Sequence, residues 1–117
     1  MTLKDLKNDR EITAIVSVSE EQIEMLGYTE HSIRHVSIVA KRAGELLKKL
    51  GYDEHTVELA EIAGYLHDIG NSVSRIDHAQ SGAILSYHLL TARGMDYKDA
   101  AQIMMAVSYT HLTLPTT

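Results

Sequence analysis

The chain has 117 residues and 44% apolar content, which suffices for one domain with a modest core. A net charge of -5 argues against general nucleic-acid binding, and the absence of cysteine excludes disulfides, thiolate zinc sites and cysteine nucleophiles. The start, Met1-Thr-Leu-Lys-Asp-Leu-Lys, lacks the apolar run of a signal peptide, and no stretch is long enough to span a membrane, so a reducing, cytoplasmic location without membrane partners is the expectation.

Read in order, the sequence is a series of helices. Residues 11–26 carry Ile12, Ile15, Val16, Ile23 and Leu26 and stop at Gly27; the Ile15-Val-Ser-Val18 run leans towards strand. Thr29 is placed to cap a long second helix over residues 30–50, closed by Gly51. Its apolar stripe is Ile33, Val36, Val39, Ala40, Ala43, Leu46, Leu47 and Leu50. Asp53 caps a third helix that ends in His67-Asp-Ile-Gly70, and residues 71–75 form a short polar connection. A fourth helix starts near Asp77 and His78 and runs through Ala83, Ile84, Leu85, Leu89 and Leu90 to Gly94. Asp96 caps a fifth, with Ala100, Ile103, Met104 and Val107 facing inward. Short connections, no paired strands and no repeat predict an all-α bundle of about five helices.

The centre of interest is His67-Asp68. Leu59, Ile62, Ala63 and Leu66 recur at helical spacing, and His67 falls one turn after Ala63 on the same side. A buried imidazole requires a partner, and an anion in the last turn of a helix opposes its dipole by roughly 0.3–1 kcal/mol; a bound cation resolves both. The alternative is a satisfied core histidine beside a solvated aspartate. Seven histidines is a high number for this length. His35 lies at the edge of the second helix's stripe, and a helix-turn-helix return can bring it to His67. His78 follows the pair by one loop. Imidazoles and a carboxylate from three consecutive helices form a suitable shell for a divalent transition metal. His31, one turn before His35, is a candidate on the substrate side, whereas His55 and His88 read as surface residues.

The pattern His35…His67-Asp68 resembles the HD superfamily of metal-dependent phosphohydrolases, whose metal site is H…HD…D. His35-Val-Ser-Ile-Val-Ala40 is similar to that family's first-histidine helix, Ala60-Glu-Ile-Ala-Gly-Tyr-Leu-His-Asp-Ile-Gly70 to its A-LLHDIG signature, and Asp77-His-Ala-Gln-Ser-Gly-Ala83 to the HA--GA segment of many members. The resemblance implies that His35, His67 and Asp68 ligate a divalent ion (Mn, Fe, Co, Ni, Zn or Mg), with His78 binding a second ion or a substrate phosphate. It implies hydrolysis of a small phosphoester, a nucleotide above all, by metal-activated water. Asp68 and His67 would be the catalytic pair, and Arg34 and Arg75, with His31, the candidates for holding substrate. A non-catalytic HD-like module for regulation or ligand sensing is the rival reading.

The family's final aspartate has no counterpart, since none of Asp77, Asp96 or Asp99 matches its position. The last ten residues hold four threonines, the only proline and no charge. With Val107 they resemble the translation of a transposon-end adaptor used in sequencing libraries. The expected organisation is therefore an N-terminal helical segment (1–27), a partial HD domain (28–106), incomplete at its C-terminus, and a non-native tail (107–117). Weak metal binding, little activity and an exposed apolar flank on the last two helices are the corresponding expectations for the 117-residue chain.

Overall fold

The computed structural model describes residues 1–25, 27 and 33–113, with side chains through residue 109. Among the described residues, six helices and one 3-10 turn make up the regular structure, and there is no strand. They are α1 (Leu3–Lys7), α2 (Arg10–Met25), α3 (Ile33–Lys49), α4 (Glu54–Leu66), a 3-10 turn (Ile69–Ser72), α5 (His78–Ala92) and α6 (Tyr97–Thr113). The all-α bundle expected from the sequence is the fold found. The proposed caps at Thr29 and the residues Leu26 and His31 lie outside the described residues.

Local chemistry sets the helix ends. Asp53 accepts a hydrogen bond from the Thr56 N–H and Asp96 from the Asp99 N–H, at 3.3 and 3.2 Å, which starts α4 and α6. The additional helix α1 is closed by a capping box in which Thr2 and Asp5 each bond the other's backbone N–H. The β-leaning run of α2 is helical throughout, because Ile12, Val16 and Ile23 fall on one helical face and are buried there. The stripe of α3 is narrower than its periodicity predicts. Val36, Ala40 and Gly44 are buried, whereas Ile33, Leu46 and Leu50 face solvent. On the last two helices Ile84, Met105 and Tyr109 are exposed.

α3 and α4 form an antiparallel hairpin, the most extensive helix pair, and α5 packs on α6. Gly64 is where the hairpin is tightest: a Cβ there would sit 3.0 Å from the Ala40 Cα and 3.2 Å from its nitrogen. Glycine lets the two backbones approach this closely. Leu6, Ile12, Val16, Val36, Ala40, Ile62, Leu66, Ile69, Leu90, Ile103 and Val107 share one core. α6 continues without a break through Thr113, and Val107 is fully buried.

Arg93, at the end of α5, ties that helix to the start of α2. It donates to Asp9 at 2.5 and 3.2 Å, to Glu11 and to the Leu89 carbonyl, while Asp9 also accepts from the Ile12 N–H. The Arg93 hydrogen bonds, followed by the Ile12 N–H, hold the Asp9 carboxyl down to about 2. Its stabilising contribution is present above the unfolded value of 3.8 and is lost as pH falls through about 2. Asp9→Asn should therefore melt at lower temperature than the parent at pH 7, with the gap closing below pH about 4. A gap that is independent of pH would contradict this.

Candidate metal centre

α4 buries Val57, Ile62, Ala63, Tyr65 and Leu66, and its helical hydrogen bonding ends at Leu66. His67 is the capping residue, and Asp68 lies one step beyond it, opening the 3-10 turn rather than standing in the last turn of α4. Both are buried, at 8% and 7% exposure. Asn71 fixes this corner by donating its backbone N–H (3.0 Å) and its side-chain amide (2.9 Å) to the Asp68 carbonyl. His35, on the facing part of α3, stands five residues before Ala40, and His67 three residues after Gly64. The close crossing of those two small residues thus carries the histidines to one place, with ring centroids 6.2 Å apart.

The donor atoms of His35, His67 and Asp68 all lie within 4.8 Å of one another. An ion bonded at about 2.0–2.2 Å keeps its donors within about 4.4 Å, so small side-chain movements close this set on one ion. The orientation of His67 suits such a set. His67 Nδ1 donates to the Gly64 carbonyl at 2.6 Å, which turns Nε2 toward the cluster, where a bound ion would replace the proton that Nε2 shares with Asp68. Nε2 is the atom that faces Asp68, 3.1 Å from Oδ2. His78 repeats the arrangement: Nδ1 donates to the Arg75 carbonyl at 3.0 Å, and Nε2 stands 4.0 Å from Asp68 Oδ1. Two imidazole nitrogens therefore flank one carboxylate, the donor types that Zn, Fe, Mn, Co and Ni accept.

His78 reaches this position because the chain enters α5 from a left-handed Asp77 (φ 56°) and because Gly70 lets the 3-10 turn meet the first turn of α5. Burial pulls the His67 pKa down, but the Asp68 hydrogen bond and charge, the Gly64 carbonyl and the charge of Glu20 outweigh it, and the net direction is upward. Glu20 itself is raised to about 7, by burial first and by the negative Asp68 next, with His67 acting in the opposite sense.

The remaining candidates are distributed as follows. Arg34 is exposed on α3 beside His35, and Arg75 is exposed in the loop whose carbonyl orients His78. His31 falls outside the described residues. His88 is exposed, edge-on to Tyr87. His55 bonds Asp99 at 3.0 Å, which raises its pKa, in a cavity of about 400 Å³ also lined by Asp5, Glu58, Arg93 and Asp96. His55 and His67 stand at opposite ends of α4, about 18 Å of helical rise apart, so Asp96 and Asp99 belong to a different part of the molecule. Sequence reading overlooks Glu20. The signal was its place four residues after Val16 and eight after Ile12, inside the apolar stripe of α2.

No described helix is long and apolar enough to cross a membrane. No curated protein and no solved structure matches the chain. The HD domain does, over residues 29–114, a span that contains His35, His67, Asp68 and His78. HD domains bind divalent metals and are in general hydrolytic, and the all-helical bundle with its buried His-His-Asp cluster agrees with that match. The chain belongs to the HD domain family.

Proposed function

We propose that this chain carries the metal centre of a phosphohydrolase acting on a nucleotide or another small phosphoester, with His35, His67 and Asp68 holding one divalent ion. The observation that supports the reading best is the convergence of those three donors within 4.8 Å, with His67 oriented by the Gly64 carbonyl so that Nε2 faces Asp68. A divalent ion in such a set lowers the pKa of water and polarises a phosphoryl oxygen. The protein's own groups do the rest. Asp68 has two oxygens with different duties: Oδ2 lies on the His67 side and Oδ1 on the His78 side, where it can orient a water or accept its proton. His78, half-buried and aimed at Asp68, is placed to meet a substrate phosphate or a second ion. Arg34 and Arg75, exposed at the rim, are the cations available to the rest of the substrate, with His31 as a further candidate.

One observation favours the rival, a non-catalytic HD-like module for regulation or ligand sensing. Among the described residues the metal cluster contains a single aspartate, and Asp96 and Asp99 line the cavity at the other end of α4. A combined measurement separates the readings. Mn²⁺ titration of the metal-stripped chain is expected to show weak but saturable binding, about one ion per chain, that drops at least 100-fold in His67→Ala and in Asp68→Ala. Turnover of p-nitrophenyl phosphate, its bis ester and a nucleotide panel marks the enzyme; metal without turnover marks the module. Unchanged metal content in both variants would sink the metal centre altogether.

A further inference from the structure

α2 carries a carboxylate where its apolar stripe should continue. Ile12, Val16 and Ile23 are buried on one face, and Glu20, one turn past Val16, is buried with them at 3% exposure. That face packs on the 3-10 turn of Ile69–Ser72, the segment that follows His67 and Asp68 directly. Glutamate is among the residues least often buried, and packing alone would be met by any aliphatic side chain here. The placement puts its charge within electrostatic reach of both Asp68 and His67.

The charge of the centre gives that placement a purpose. Two neutral imidazoles and Asp68 offer a divalent ion a single negative charge, which leaves one positive charge uncompensated at a largely buried site. Glu20, once it gives up its proton beside the bound ion, brings the total to two. It does not belong to the group of donors that converge within 4.8 Å, so its influence on the ion would be through the local field. Glu20 also precedes the HD domain match, which begins at residue 29. We infer that Glu20 is the charge-balancing, positioning residue of the metal centre, supplied by the N-terminal helix α2 and not by the HD domain itself. Residues 10–25 are then a working part of the site as well as a cover for its core. The inference rests on His35, His67 and Asp68 being the ligands.

The test uses the full chain, stripped of metal and titrated with Mn²⁺ alone by calorimetry, with the Co²⁺ absorption spectrum as a report on the ligating atoms. Glu20→Gln should bind Mn²⁺ about 10–100-fold more weakly while keeping one ion per chain and a Co²⁺ spectrum of the parent type. Glu20→Asp, which keeps the charge, should recover most of the affinity. Glu20→Met, apolar and of similar length, gives the same loss as glutamine and serves where the amide is not accommodated. Parent-like affinity in a folded Glu20→Gln or Glu20→Met, with His67→Ala losing binding, would leave Glu20 a structural residue and overturn this inference alone. Parent-like affinity in His67→Ala overturns the reading on which it rests.

Discussion

Gly70→Ala should destabilise the chain by about 3 kcal/mol or more and remove its metal affinity at the same time. A Cβ on Gly70 would stand 1.8 Å from the His78 carbonyl oxygen and 2.7 Å from both the His78 carbonyl carbon and the Gly82 nitrogen. These are backbone atoms of the first turns of α5, so no side-chain rotation relieves the overlap. Either α5 moves off the 3-10 turn or the turn itself opens. Both outcomes displace His78, now 4.0 Å from Asp68, and loosen the corner that Asn71 fixes. Urea unfolding followed by circular dichroism, alongside Mn²⁺ titration, checks the two effects together. A midpoint and affinity equal to the parent's would show that the approach of α5 to the turn is dispensable.

The metal-free protein should lose stability as pH rises from about 5 to 8, the opposite of what most surface carboxylates impose. Glu20, ordinarily near 4.5, is raised to about 7 by burial, by Asp68 and by Glu24 on its own helix, with His67 offsetting part of the effect. Between those values the folded chain holds a proton that the unfolded chain has released, so each increment of pH favours unfolding. The effect amounts to at most about 3 kcal/mol. His67 acts in the same direction: its raised pKa gives stability that is present below 6.5 and lost as pH passes through the folded value. Melting in EDTA across this range should show the decline, and Glu20→Gln should flatten it and be more stable than the parent at pH 8. Saturating Mn²⁺ should raise the high-pH end, because an ion that binds only the folded state adds stability in proportion to the logarithm of its concentration over Kd. A profile that rises towards pH 8 in EDTA would refute the assignment.

Much of the fold was legible because its boundaries are chemical. Gly27, Gly51 and Gly94 end helices with φ of 95°, 86° and 90°, conformations for which sequence selects glycine, and Asp53 and Asp96 start helices by accepting backbone N–H groups. What was not legible depends on neighbours. Periodicity shows which face of α3 is apolar, but whether Leu46 and Leu50 are covered depends on where α4 begins alongside them. α1, five residues long, is too short to show any period. At the site, His35, His67 and Asp68 could be read from residue types and spacing. Glu20 is passed over although its place in the stripe is visible, because a hydrophobic pattern treats a charge there as a blemish and skips it.

The tight crossing of Gly64 over Ala40 has a consequence for the order of events in folding. His35, His67 and Asp68 all belong to the single α3–α4 hairpin and the residues just beyond it. Bringing them together closes only the loop between two adjacent helices, a far smaller entropic demand than uniting the two ends of the chain. Backbone contact between two small residues, not the fit of large side chains, fixes their spacing. On this ground the hairpin is expected to gather the three donors as a local event, with α2 and α5 adding Glu20 and His78 around them.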